Sequence, residues 1–312
     1  MQSKLNGQEG ALKNREDRTA KIGPLAFFGG AIVWLWLSIA AALLAVAGSV
    51  IALAVRSIYA SLTPVFLPQA LAQDVANLAI AAPALLVCAM LSLRGSLRAY
   101  LLWVGVLAFT VYNYVIYAFS IPFGPLFLLW VAVLGMCLYS LIGGLTAVDH
   151  AAVAAGFTSR RAIIVVAWFL VIIAVLFSLL WLSEDVPALL EGRSPQSLRD
   201  IALPTNPVHI LDLGFFLPAV IATGVLLLRR RPFAFTVAPV LIVFLALTGV
   251  PILIAPFVQA IRGEAAGWGV AVPIGTLIAA SLGLLAWLLS TIRPGAQPAA
   301  NPIGSSFPAM KQ

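Results

Sequence analysis

Residues 206–231 read NPVHILDLGFFLPAVIATGVLLLRRR, and this stretch decides the fold. Between Pro207 and Leu228 the only strongly polar side chains are His209, Asp212 and Thr223. The run is long enough to cross roughly 30 Å of hydrocarbon at about 1.5 Å per residue. Lipid offers the backbone no hydrogen-bond partners, so such a run must be a helix, which satisfies its N–H and C=O groups internally. Asn206 is suited to cap its start and Pro207 to fill the first helical position. Arg229, Arg230 and Arg231 end it.

Seven more runs of this kind flank it. In chain order the eight are Ala31–Val55, Leu71–Leu93, Ala99–Phe119, Pro125–Val148, Ala162–Leu182, Pro207–Leu228, Phe233–Ile261 and Trp268–Ile292. Of 312 residues, 62% are apolar and 9% charged, against roughly 25% charged in an ordinary soluble domain. A chain so apolar cannot cover itself with polar surface, so a lipid bilayer is its expected solvent. The predicted class is an all-α integral membrane protein with eight transmembrane helices. Ser120-Ile-Pro-Phe-Gly124 predicts a tight turn that makes the third and fourth spans a hairpin.

Basic residues sort to alternate ends of these spans. Lys4, Lys13, Arg15, Arg18, Lys21, Arg94, Arg98, Arg160, Arg161, Arg229, Arg230, Arg231, Arg293 and Lys311 fall on one side. Arg56, Arg193, Arg199 and Arg262 fall on the other, mixed with Glu184, Asp185, Glu191, Asp200 and Glu264. The positive-inside rule makes the first side, with both termini, cytoplasmic. The net charge of +7 then reflects topology and contact with anionic lipid. Nucleic acid is not an expected partner, because no basic patch interleaves with aromatics. Residues 1–22 and 294–312 read as disordered cytoplasmic tails around a membrane domain of 23–293. The long, mixed-charge head does not read as a cleavable signal.

The second and sixth spans align without gaps at an offset of 135. Asn77 falls on Asp212, Pro83 on Pro218, Leu91 on Leu226, and Arg94 on Arg229. In each, a polar residue precedes a mid-helix proline by six positions. This predicts a tandem parallel repeat of halves 23–148 and 162–293, related by an axis along the membrane normal. The third and seventh spans share little, with Asn113 facing Thr248. Two unrelated proline-bearing helices are the competing account.

Ionisable groups inside a span are expensive and call for a reason. Asp212 and His209 share a face at i and i+3, which lets them share a proton or a hydrogen bond; bonding of each to a neighbouring backbone is the competing account. Asp74 and Asn77 repeat that spacing in the second span. Asn113 and Tyr117 share a face of the third, beside Tyr112 and Tyr114. These six residues, Asp212, His209, Asn77, Asp74, Asn113 and Tyr117, form the candidate ligand- or ion-binding site in the outer half of the membrane. Bland readings compete with it. Tyrosines populate interfacial belts, Asn113 can be packing glue between helices, and Asp74 can lie in an outer loop. His150 reads as a solvated loop histidine. Cys88 and Cys137, single and mid-span, read as packing residues. No Walker A, HExxH or CxxC pattern occurs, and no metal or cofactor is expected. In the outer loop 183–206, Ser183-Glu-Asp-Val-Pro187 predicts the start of a short surface helix running through Ala188–Leu190.

Asn206 to Leu213, Leu228 to Pro232, Tyr112-Asn-Tyr-Val-Ile-Tyr117 and Phe127-Leu-Leu-Trp-Val-Ala-Val-Leu-Gly135 resemble a group of uncharacterised bacterial multi-pass inner-membrane proteins. The resemblance spans about the second to seventh runs. It implies a bacterial inner-membrane location and assigns no activity or site role. Three function classes follow from the residues. The leading one is a permease-like or ion-coupled protein, in which Asp212 binds a proton or cation, His209 tunes it, and Asn77, Asn113 and Tyr117 touch a small solute. The others are a membrane-embedded enzyme with Asp212 and His209 as acid and base, which lacks an obvious nucleophile, and a sensor or assembly protein. Oligomeric state is not written in the sequence.

Overall fold

The computed structural model describes residues 30–293. The tails read at 1–22 and 294–312 lie outside the described residues. The described chain is an all-α bundle of eight helices, each long and apolar enough to cross a bilayer. They are α1 (Ile32–Ala54), α2 (Phe66–Leu93), α3 (Leu97–Ser120), α4 (Phe127–Thr146), α5 (Arg160–Leu190), α6 (Pro207–Leu228), α7 (Pro232–Ile261) and α8 (Trp268–Ser290). Short polar side chains set the starts. Ser96 accepts from Ala99 N, Ser159 from Ala162 N, and Asn206 from Val208 N and His209 N. The predicted hairpin is present, with α3 packed along α4 through the Ser120–Gly124 turn.

α3 and α7 form the centre. They are the most enclosed helices, 72% and 56% buried over their apolar windows. Gly105 allows their close approach: a Cβ there would stand 2.5 Å from Val243 Cβ and 3.1 Å from the Val240 carbonyl. Phe109 meets Phe244 edge-to-face at 6.5 Å. The other helices wrap this pair. α5 and α8 are the most peripheral, 28% and 22% buried, and turn large apolar side chains such as Leu179 and Val272 outward.

The offset of 135 recurs in the backbone. α2 carries a π turn at Asn77–Ala81 and α6 one at Asp212–Phe216. Each directly precedes a proline pair position, Ala82-Pro83 and Leu217-Pro218. Proline lacks an N–H and its ring crowds the carbonyl four residues back, and one extra residue in the preceding turn relieves both. The Ala82 and Leu217 N–H groups accordingly donate five residues back, to the Asn77 and Asp212 carbonyls. The helix ends match too. Ser96 N donates to Leu91 O and Gly95 N to Ser92 O; Arg231 N donates to Leu226 O and Arg230 N to Leu227 O. These are paired Schellman turns. Their left-handed residues are Gly95 (φ 88°) and Arg230 (φ 53°), again 135 apart. The outer helices match less well. α1 packs along α4, whereas α5 and α8 barely touch.

Two local expectations fail. Ser183 does not start a surface helix. α5 continues unbroken to Leu190, with Pro187 inside it and Ser183 Oγ donating back to the Leu180 carbonyl. Proline removes one bond to the preceding turn, a loss that the polar end of a long helix tolerates. The short helix of this loop lies later, at Gln196–Ile201. His150 is not a solvated loop residue either. It opens a short helix, His150–Gly156, capped by the Asp149 carboxylate and packed on α7, and its Nδ1 lies 2.9 Å from Thr236 Oγ1. Burial pushes its imidazole below the ordinary value, with Asp149 opposing. Cys88 and Cys137 are free and buried, as packing residues would be.

Candidate functional site

A cavity of about 560 Å³ lies between α2, α3, α6 and α7, at the end of the bundle opposite Arg94, Arg160 and Arg229. Its sides come from Gln69 and Gln73 of α2, Val208 and His209 of α6, and Trp181 and Glu184 of α5. The base comes from the central pair: Phe109, Tyr112, Asn113, Ile116 and Tyr117 of α3, with Thr248, Pro251 and Ile252 of α7. Asn113, Ile116 and Tyr117 stand 135 residues from Thr248, Pro251 and Ile252. Positions that look unrelated as residue types therefore occupy one wall. Ser197, Asp200 and Ile201 of the short loop helix complete one side.

Two buried carboxylates stand behind this lining. Asp74, 2% exposed, accepts from Tyr59 Oη at 2.6 Å and Tyr117 Oη at 2.9 Å. Tyr117 stacks on Trp130 at 5.4 Å, which fixes its ring. Tyr59 lies outside the spans, in the turn after α1. Burial, and then the Asp74 charge, push its phenol far above the ordinary range, so it stays a protonated donor. Asp212, 8% exposed, accepts from Tyr112 Oη at 3.0 Å and Trp181 Nε1 at 2.9 Å. Each carboxylate thus has two neutral aromatic donors, one of them from α3. Among the described residues neither forms an ion pair.

All six sequence-chosen residues are buried. His209, Asn113 and Tyr117 line the cavity; Asp74, Asp212 and Asn77 do not. Asp74 is not in a loop but in α2. His209 and Asp212 do not bond each other. The His209 ring turns to Asp185 of α5, with Nδ1 at 3.0 Å from both carboxylate oxygens, and lies against Trp181 at a ring separation of 4.5 Å. Equal spacing on a helix puts two side chains on one face, but stronger partners on α5 and α3 take both. Asp212 instead bonds Tyr112 and Trp181. Asn77 Oδ1 accepts from Gln73 Nε2 at 3.1 Å, while its Nδ2 has no partner. Asn113 Nδ2 has none either.

Trp181, Asp185, Glu184 and Tyr59 were not among the candidates. A signal for the first three exists in the chain: Trp181, Glu184 and Asp185 fall at i, i+3 and i+4, one face of a helix. Tyr59 carries no such signal, since it reaches Asp74 from a turn. Among the described residues no group of three His, Cys, Asp or Glu side chains is placed to hold a metal. No family model, curated protein or solved structure matches the chain, so the site is read from its own geometry.

Proposed function

We propose that this chain is a proton- or cation-coupled permease for a small solute, built from two four-helix halves around the α3–α7 pair. The supporting observation is the cavity at the junction of matching segments, walled by two helices that carry π turns at equivalent positions. Transporters place solute sites where discontinuous helices of two repeats meet. The aspartates fit the coupling role. A buried carboxylate without a counter-ion is costly, and accepting a proton or a cation removes that cost. Tyr112 and Tyr117 link each carboxylate to the cavity, so occupancy of one can be felt by the other. Rocking of the halves about α3–α7 would expose the cavity to either side.

A metabolite comparison tests the reading. It sets a deletion strain beside strains carrying the wild-type chain or Asn113→Leu at equal membrane abundance. The expected result is a shifted solute distribution in the deletion strain, corrected by the wild type and not by the variant. Identical distributions in all three strains would end the proposal.

In the same reading the arginine-rich end is cytoplasmic, both termini lie there, and the membrane is the bacterial inner membrane. The partition of basic residues supports that orientation. Reporter fusions at Gly192 and Gly263 should read outside, and those at Gly95 and Arg230 inside. One reversed junction would be enough to reject this topology.

A further inference from the structure

The cavity's charge and lining name the class of solute, an inference that rests on reading the cavity as a solute site. Its ionisable lining is Glu184, Asp200 and His209, with no lysine or arginine. His209 is held by Asp185, whose carboxylate adds a further negative group behind it. The arginines at this end of the bundle do not line the cavity. Arg193 pairs with Glu191, Arg262 pairs with Glu264, and Arg199 bonds Gln196 and the Ser194 carbonyl. Asp74 and Asp212 lie behind the tyrosines without a counter-ion. Apart from His209, the charged side chains in the cavity wall are therefore acidic.

A second, independent feature points to a ligand. Asn113 is 5% exposed, lines the cavity, and its side-chain amide has no hydrogen-bond partner within the protein. Buried polar groups are normally satisfied, and one left open in a cavity wall calls for a partner that enters from the cavity. The rest of the lining mixes the uncharged polar side chains Gln69, Gln73, Ser197, Asn206, Thr248 and Gln259 with apolar and aromatic ones, and Phe66, Phe109, Tyr112, Tyr117 and Trp181 contribute rings. Ring faces attract cations, most of all when water is excluded. The volume of about 560 Å³ is that of a small organic molecule rather than a bare ion. A metal ion is a poor fit, because no cluster of ligating side chains is present among the described residues.

We infer that the cavity binds an amphipathic organic cation, an amine or quaternary ammonium whose apolar part lies on the aromatic wall and whose charge faces Glu184 and Asp200. A polar atom on the ligand, where present, would meet the Asn113 side-chain amide.

Three probes of one shape and different charge decide the matter: phenylbutylamine, phenylbutanol and phenylbutyrate, bound to the full-length chain in nanodiscs. The amine is expected to bind at least about tenfold more tightly than the alcohol, and the acid more weakly than both. Combined Glu184→Gln and Asp200→Asn should cut amine affinity by about tenfold and leave the alcohol unchanged. Equal affinities for amine and alcohol, preference for the acid, or no binding of the amine would each overturn the inference. The parent reading fails differently. An amine that binds selectively but never crosses proteoliposomes leaves the ligand class standing and removes transport.

Discussion

Asp212→Asn is expected to leave the bundle folded while abolishing the proton or cation dependence of the proposed transport. The carboxylate sits between Tyr112 Oη and Trp181 Nε1, and an asparagine oxygen can still accept from one of them. Shape and part of the network survive, so abundance and melting temperature should stay near wild type. What disappears is the charge, and with it the group that takes up the coupling ion in the proposed transport. Uptake measured across a pH or cation gradient should become flat. Its rate under the best driving force should fall by about tenfold or more, equivalent to roughly 1.4 kcal/mol of barrier. If Asp212→Asn keeps both rate and gradient dependence, Asp212 is a structural acceptor only. Asp212→Leu then isolates that structural role, since it strands both donors and should lower stability whatever the function.

Asp74→Leu is expected to have the larger effect on folding. Tyr59 and Tyr117 both donate to this one carboxylate, and both are buried. Leucine would leave two phenol O–H groups without acceptors inside the bundle. Each stranded donor costs on the order of 1–3 kcal/mol, so the pair costs roughly 2–6 kcal/mol. That is a large fraction of the net stability of a typical domain. The variant should accumulate poorly and lose its monodisperse elution in detergent at a markedly lower temperature. Tyr59→Phe combined with Asp74→Leu removes one donor along with the acceptor, and should recover part of the loss. An Asp74→Leu protein as heat-stable as wild type would show that these bonds contribute little and that the α1–α2 turn is held by packing alone.

Hydropathy and length located the eight helices, seven of them to within about five residues at each end and α5 eight residues short at its C-terminal end, because a bilayer favours a helical backbone. The shared position of Pro83 and Pro218 marked equivalent breaks but not the π turns themselves, since Pro239, Pro251 and Pro256 sit in α7 without one. Burial of the six polar candidates followed from the cost of charge in hydrocarbon, which applies wherever the helix stands. Partners were another matter. Asp212 finds Tyr112 and Trp181 across 100 and 31 residues, and Asp74 finds Tyr117 across 43. Such pairings depend on helix rotation and on which neighbours crowd each face, and neither leaves a periodicity in the chain. His209 illustrates the point. Its i+3 neighbour is Asp212, yet the ring bonds Asp185. Asn113 and Thr248 show it again: as letters they are unlike, and only the crossing of α3 and α7 puts them in one cavity wall. The sequence by itself determined the solvent, the helices and the depth of the polar groups, all consequences of local chemistry in lipid. The tertiary structure alone decided who holds whom, because side-chain partnership is set by packing between segments that are distant in the chain.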